Sequence, residues 1–304
     1  MGVPRNYMQD ADSQNATGAS SIIRVAAVAW KLRNVRSDSE FFGHFYDLVN
    51  AAHDQGADVV VLPELQVLEL LNVEPDLPEH KAARYLAQYS EAMEEWLKRI
   101  SCSSGMTLVG GSYFKETPEG IVNACAVADP IRGLALGSKN NLTAYERETW
   151  NLQPGHGLAK PHDARLGVTI CYDSEFPESG RALAEEGVLV QCVPAFTETQ
   201  RGFQRVRWSC KARAIENQNF VVHASLLGSL GREPAPTTYG SSAILTPSIE
   251  PFPVEAVLAE TQLGEEGVIV ADLDLDMLES TRDAGEVRNW NDRYSGEWLM
   301  RREG

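Results

Sequence analysis

Apolar and amphipathic stretches alternate along this chain in a regular order. Ile22 to Ala29 (IIRVAAVA) is apolar apart from Arg24 and rich in β-branched residues, which predicts a buried strand. From Ser37 to about Gln55, Phe41, Phe42, Phe45, Leu48, Val49 and Ala52 recur at helical spacing behind an acidic start, which predicts an amphipathic helix that Gly56 ends. Asp58 to Leu62 is a second buried strand, and Pro63-Glu64-Leu65 follows directly. Near-continuous apolar strands separated by a helix predict an α/β layered architecture with helices covering the sheet faces.

Residues 66 to 80, interrupted by Pro75 and Pro78, read as a loop that serves as a pocket wall or an interface arm. A helix from about Lys81 to Cys102 follows, its stripe of Leu86, Met93, Trp96, Leu97 and Ile100 assigned to core packing. Thr107 to Tyr113 reads as a strand, joined by a turn at Pro118 to Gly120 to a second strand, Ile121 to Ala128. This predicts a hairpin, and therefore a mixed sheet. Gly133 to Ser138 continues as a strand that releases Lys139 at its end, and Asn140 to Gly157 reads as irregular.

Val168-Thr169-Ile170 is a short β-rich run that delivers Cys171 to a strand-to-helix corner, since Pro177 opens a helix to about Glu186. Then come a strand from Val188 to Pro194 with Ala195-Phe196-Thr197 at its end, a long helix from about Gly202 to Gln218, and a strand from Phe220 to Ala224. Weaker strands are expected around Ser242 to Leu245 and Gly267 to Leu273. Arg282 to Gly304 is too polar for a core yet holds Trp290, Tyr294 and Trp298, which fits an arm on a partner subunit or an ordinary surface tail. With no internal repeat and no linker, the expected organisation is a lead-in over 1–20, disordered by composition, one domain over 21–280 and an arm over 281–304.

Charge narrows the partners. The 304 residues hold 27 basic and 43 acidic side chains, for a net charge of −16. That argues against nucleic acid or an anionic membrane surface, because binding either rests on clustered Lys and Arg. No apolar run approaches the roughly 20 residues of a membrane-spanning helix, and the N-terminus has no basic-then-apolar signal pattern. The five cysteines (Cys102, Cys125, Cys171, Cys192, Cys210) are odd in number and lack metal-ligand spacing, so they read as reduced thiols of a cytoplasmic protein and not as a metal site.

Three chemically capable side chains are expected at three strand ends: Glu64, Lys139 and Cys171. Each has an ordinary reading taken alone. Free cysteine is among the most buried residue types, a loop glutamate often just caps a helix, and a lysine is usually solvated. Together they form a set. Attack of sulfur on an amide carbon needs a thiolate, a donor for the developing oxyanion and an acid for the departing amine. A carboxylate can be base and then acid, and an ammonium beside sulfur favours the thiolate and holds the oxyanion.

Four ordered motifs carry a resemblance. They are VVVLPEL ending at Glu64, GSKNNLTAYERETW with Lys139 and Glu146, LGVTICYDSEFPE with Cys171, and RWSCKARAIENQNFVV over Arg207 to Val222. Over residues 22 to 280 the chain resembles the nitrilase, or carbon-nitrogen hydrolase, superfamily. The resemblance implies a four-layer α-β-β-α sandwich, commonly dimeric through helices like the one near Ala214 to Asn217, with no cofactor. It implies that Glu64 is the base and later the acid, that Cys171 is the nucleophile, and that Lys139 with the Tyr172 backbone N–H holds the oxyanion. Glu146 matches an additional pocket glutamate, Ala195 and Phe196 are expected to line the substrate, and Glu148 is expected on the surface.

Tyr172-Asp173 after the nucleophile is similar to the amidase and ω-amidase branches, whereas Asn140-Asn141-Leu142 after the lysine departs from common branches. CYDSEFPE with QRGFQRVR is most similar to a bacterial branch in which some members carry a fused acetyltransferase, a domain not expected in these residues. The expected activity is hydrolysis of a small amide to acid and ammonia through a thioester, in a homodimer or higher homo-oligomer. The alternatives are an N-carbamoyl amino acid or amine hydrolase, a true nitrilase, or a non-catalytic binding member. Arg201, Arg205 and Arg207 are candidates to grip a substrate carboxylate, although helix-surface charges are their ordinary role.

Overall fold

The computed structural model describes residues 21–161 and 164–295. The expectations for residues 1–20 and for Trp298 lie outside the described residues. The strands are β1 (Ile22–Leu32), β2 (Val59–Val61), β3 (Thr107–Val109), β4 (Tyr113–Thr117), β5 (Gly120–Asp129), β6 (Gly133–Ser138), β7 (Leu166–Val168), β8 (Val190–Phe196), β9 (Phe220–Gly228), β10 (Ala243–Leu245), β11 (Val257–Glu260) and β12 (Gly267–Asp274). The helices are α1 (Asp38–Asp54), α2 (Ala82–Ala87), α3 (Ser90–Ser104), α4 (Ala144–Glu148), α5 (Pro177–Glu185), α6 (Gln200–Asn217), α7 (Leu275–Ala284) and α8 (Asn289–Asp292).

Two sheets meet at β1. In the first, β1 pairs antiparallel with β12 and parallel with β2, β2 pairs parallel with β3, and β5 runs antiparallel to β3, β4 and β6. The last residues of β1, Trp30 to Leu32, pair in parallel with β9 of the second sheet. That sheet runs β7-β8-β9 in parallel and then β10 and β11 antiparallel. Successive side chains of a strand face opposite ways. Accordingly Ala26, Val28 and Trp30 of β1 pack with Phe41, Phe45, Met93 and Leu97 of the helices, whereas Val25 and Ala27 join Val190, Val222 and Ile244 between the sheets. Val206, Cys210 and Ala214 of α6 close the far side, completing an α-β-β-α sandwich.

Local chemistry explains where elements start. Ser37 caps α1 by accepting the Glu40 N–H at 3.2 Å, and Pro177 opens α5 where no intrahelical acceptor is needed.

Some expectations are corrected. The segment after Glu64 is not a loop: Gln66–Val73 is a 3-10 helix with Leu68, Leu70 and Leu71 buried. The long helix expected from Lys81 to Cys102 is two, broken at Gln88-Tyr89. The strand expected from Thr107 to Tyr113 breaks at Gly110 to Ser112, where Gly111 takes φ +69. The stretch read as irregular holds α4, and the half-exposed edge strand β11 carried no strong apolar pattern. Trp290, in α8, stacks against Arg282 and Arg293 of its own chain.

Candidate active site

Three strand ends bring the predicted residues together. After β2 the chain turns through Pro63-Glu64-Leu65, with Leu65 at φ +54. The turn after β3 holds it: Leu65 N–H donates to Ser112 O at 3.1 Å, and Gln66 Nε2 donates to Gly110 O at 2.7 Å. A β-carbon on Gly111 would lie 2.0 Å from Pro63 O, so only glycine permits this approach. After β6, Lys139 N–H donates to Asn123 O at 2.8 Å and Lys139 O accepts Gly155 N–H at 2.7 Å. After β7, Cys171 opens a 3-10 turn over Cys171–Glu175 at φ +43, a conformation that costs a residue with a β-carbon about 1–2 kcal/mol. The backbone N–H of Tyr172 falls in the first turn, where helical N–H groups have no internal acceptor.

The side chains converge below the surface. Lys139, 2% exposed, donates from Nζ to Glu64 Oε1 at 2.8 Å and to Glu146 Oε1 at 2.9 Å. Asn123 Nδ2 donates to the same two oxygens, at 3.0 Å each. The other oxygen of Glu64 accepts the Phe196 N–H at 2.9 Å, while Phe196 O accepts the Cys171 thiol at 3.6 Å. Glu146 Oε2 accepts the Thr143 N–H at 2.8 Å, and the Thr143 hydroxyl caps α4 in return, so a capping box aims this carboxylate.

These contacts separate the two glutamates. Burial, with the charge of Glu146 adding to it, holds the Glu64 carboxyl above its usual range despite Lys139. Burial would do the same to Glu146, but Lys139, Asn123 and the Thr143 N–H together carry it below. Burial opposes the Lys139 charge, yet Glu146 and Glu64 keep the ammonium more basic than usual. The Cys171 thiol is pushed well up by burial and then by Glu64. The set therefore rests as a lysine-glutamate ion pair, a protonated thiol, and one carboxyl poised to exchange a proton.

A cavity of about 270 Å³ opens above this floor. Glu64, Lys139, Glu146, Cys171, Tyr172 and Phe196 all line it. Ala195 does not; it is buried on the opposite face of β8 from Phe196, the face that α6 covers. Glu148 is exposed. Of the arginines, Arg205 lines the cavity but pairs with Glu175 at 3.4 Å. Arg207 is buried and donates to His223, Ser241 and Glu260, and Arg201 is exposed outside the cavity.

Two contributors escaped sequence reasoning. Asn123 is fully buried, and its signal was a lone amide inside an apolar strand. Asp173, also fully buried, accepts the backbone N–H groups of Asn140 at 3.0 Å and Asn141 at 2.8 Å. Among the described residues no cluster of His, Cys, Asp and Glu could hold a metal ion, no helix is long and apolar enough to cross a membrane, and all five cysteines are free.

Comparison with known proteins identifies the family and the fold. A family model described as Carbon-nitrogen hydrolase matches residues 24–283. Probable hydrolase YhcX of Bacillus subtilis (strain 168) is 28% identical over 89% of this chain, which spans 53% of that protein's length. Omega-amidase NIT2 of Xenopus tropicalis is 26% identical over 90% of this chain and 97% of its own. The crystal structure of an amidase from Nesterenkonia sp. superposes with a TM-score of 0.66 at 25% identity, covering 89% of this chain and 97% of that one.

Proposed function

This chain belongs to the carbon-nitrogen hydrolase family, and we propose that it is a cysteine-dependent amidase converting a small amide to an acid and ammonia. The observation that carries this reading is the meeting of Glu64, Lys139 and Cys171, from three strand ends, on the floor of one cavity. Fold alone would not suffice, because one fold hosts many functions and the chemistry lies in the site.

In the proposed reaction Glu64 accepts the Cys171 proton as sulfur adds to the amide carbon. The oxyanion is held by the Lys139 ammonium and the Tyr172 N–H. Collapse of the tetrahedral intermediate breaks the C–N bond, with the proton passing from Glu64 to the leaving nitrogen. Ammonia departs and a thioester remains on Cys171. Glu64 then takes a proton from water, hydroxide adds to the thioester, and the thiol leaves with that proton. Glu146 stays ionised throughout and keeps Lys139 charged and in place. The opposite shifts of Glu64 and Glu146 support this division.

The same proposal reads 21–280 as the catalytic unit, 1–20 as a lead-in and 281–304 as an arm. It makes the enzyme a homodimer in a reducing, cytoplasmic setting. Ala214 and Asn217 are buried in their own chain, so the α6 face offered to a partner is that of Trp208 and Ile215, 65% and 40% exposed.

The test is ammonia release from short aliphatic amides, ω-amides, N-carbamoyl amino acids and matching nitriles, comparing the wild type with Cys171→Ala. Amide turnover that disappears in the variant is expected. A folded protein that releases nothing and whose Cys171 resists iodoacetamide would leave the non-catalytic binding reading in its place.

A further inference from the structure

Beyond the catalytic floor, the cavity wall is aromatic and acidic. Tyr145, Trp150 and Tyr172 contribute rings, with Tyr145 and Trp150 meeting edge to face at 5.0 Å. The charged residues of the outer wall are Glu175, Glu198 and Arg205. Arg205 is already engaged by Glu175 at 3.4 Å. Glu198, an exposed residue at the cavity rim, has neither an ion pair nor a hydrogen bond for its carboxylate among the described residues, and partial burial and then Glu233 push its carboxyl above the usual range. Glu79, Glu233 and Glu198 all act on the Tyr145 hydroxyl, which is buried and without a partner. The wall is thus short of one positive charge and offers a hydroxyl that can accept a hydrogen bond.

We propose that this cavity selects amides whose far end carries a cation, an ammonium or guanidinium, seated between Glu198 and the Tyr145 and Trp150 rings. This deepens the amidase reading and rests on it. An ammonium there would gain a carboxylate counter-ion, ring faces that attract cations, and the Tyr145 oxygen as acceptor. A carboxylate tail would meet the uncompensated Glu198, because Arg205 and Glu175 in the wall already neutralise one another. One feature favours an anion, the unpartnered Nε1–H of Trp150, but it is a single neutral donor against one uncompensated carboxylate. About 270 Å³ is at the small end of ligand pockets, which run from roughly 300 to 1,000 Å³, so the substrate is a short chain.

The test is a series matched in length: 5-aminopentanamide, pentanamide and glutaramate, compared by kcat/KM for ammonia release. The ammonium compound is expected to exceed the neutral one by at least about fivefold, the equivalent of one partly exposed ion pair, with the carboxylate compound last. Glu198→Gln should compress the ammonium-to-neutral ratio toward one, and Glu198→Lys should raise glutaramate above 5-aminopentanamide. Glutaramate turned over as well as the ammonium compound by the wild type, or a ratio unmoved in Glu198→Gln, would overturn the proposal. Protection of Cys171 from iodoacetamide separates this idea from the amidase reading. If butylammonium protects and butyrate does not while none of the three amides is hydrolysed, the cation site stands and the amidase reading falls. Equal protection, or protection by butyrate alone, removes the cation site.

Discussion

Asp173 accepts two hydrogen bonds from Asn141 on one oxygen, the backbone N–H at 2.8 Å and the side-chain Nδ2–H at 2.9 Å. One residue stands two positions after Cys171 and the other two after Lys139. The pair therefore fixes the distance between the strand ends that carry sulfur and ammonium. Burial raises the Asp173 carboxyl above its usual range, against the three donors it accepts, so its hold on the loop depends on those donors being aimed at it.

Asp173→Ala should leave the chemistry of each group intact and move Lys139 relative to Cys171. A displacement near 1 Å costs about 10²-fold in rate. The expected loss is in kcat with KM little changed, and Asp173→Asn should recover part of it by keeping an oxygen for the Asn141 N–H. Equal loss in both variants, or a loss confined to KM, would argue against a positioning role.

The pH–rate profile should show the separation of the two glutamates. Glu64 must be ionised to take the thiol proton, so kcat/KM rises with pH through a Glu64 pKa above its ordinary 4.5. Part of that elevation comes from the Glu146 charge. Glu146→Gln should thus move the acid limb to lower pH while kcat falls roughly tenfold or more from weakened hold on Lys139. An acid limb that stays put would mean that Glu146 does not act on Glu64.

Gly111→Ala should be costly although the residue does not line the cavity. Its β-carbon would fall 2.0 Å from Pro63 O and 2.5 Å from Gln66 Oε1, and its φ of +69 disfavours any side chain. The turn bearing Glu64 must shift. Destabilisation of about 1–3 kcal/mol in urea unfolding is expected, with loss of activity in the fraction that stays folded. An unaffected variant would show that the turn can adapt.

A second charged network lies away from the site. His44, 2% exposed, sets Nδ1 2.9 Å from Glu69 and Nε2 2.8 Å from Glu266, and Trp30 Nε1 donates to Glu69 at 2.7 Å. Burial opposes the His44 charge, but hydrogen bonds to Glu266 and Glu69 raise its pKa above the ordinary 6.5. Its contribution is full below 6.5 and is lost as pH rises through the raised value. Burial opposes the Glu266 charge too, but His44 and Arg33 depress it to about 2, so its contribution is present above 4.5 and lost as pH falls toward 2. His44→Leu leaves Glu69 buried without its cation and should destabilise the protein by about 3 kcal/mol near pH 6. Urea midpoints at pH 3, 6 and 9 check this: the deficit should be largest at pH 6, and a deficit independent of pH would rule the network out.

Much of the fold was legible because strand and helix periods are local. The apolar runs at β1, β2, β8 and β9, the capped start of α1 and the proline opening of α5 all followed from neighbours in sequence. Boundaries failed where a distant contact intervenes. The break at Gly110 to Ser112 accompanies the turn at Gly111, φ +69, which lies against Pro63 of the turn after β2. The 3-10 helix after Glu64 is buried by both the sheet and α1, which no window of sequence displays.

The sequence by itself determined which chemical groups are available and that Glu64, Lys139 and Cys171 fall at strand ends, since strand termini depend on short-range pattern. Only the tertiary structure decided how two glutamates of identical chemistry differ. Asn123 and Lys139 touch both, but Thr143 donates to Glu146 alone, and Glu64 instead faces Cys171 and the Phe196 N–H. Those partners lie up to 132 residues from Glu64 along the chain. Proton affinity in a buried site is set by burial and by which charges and donors stand within a few ångströms, and that proximity exists only once the sheets have closed.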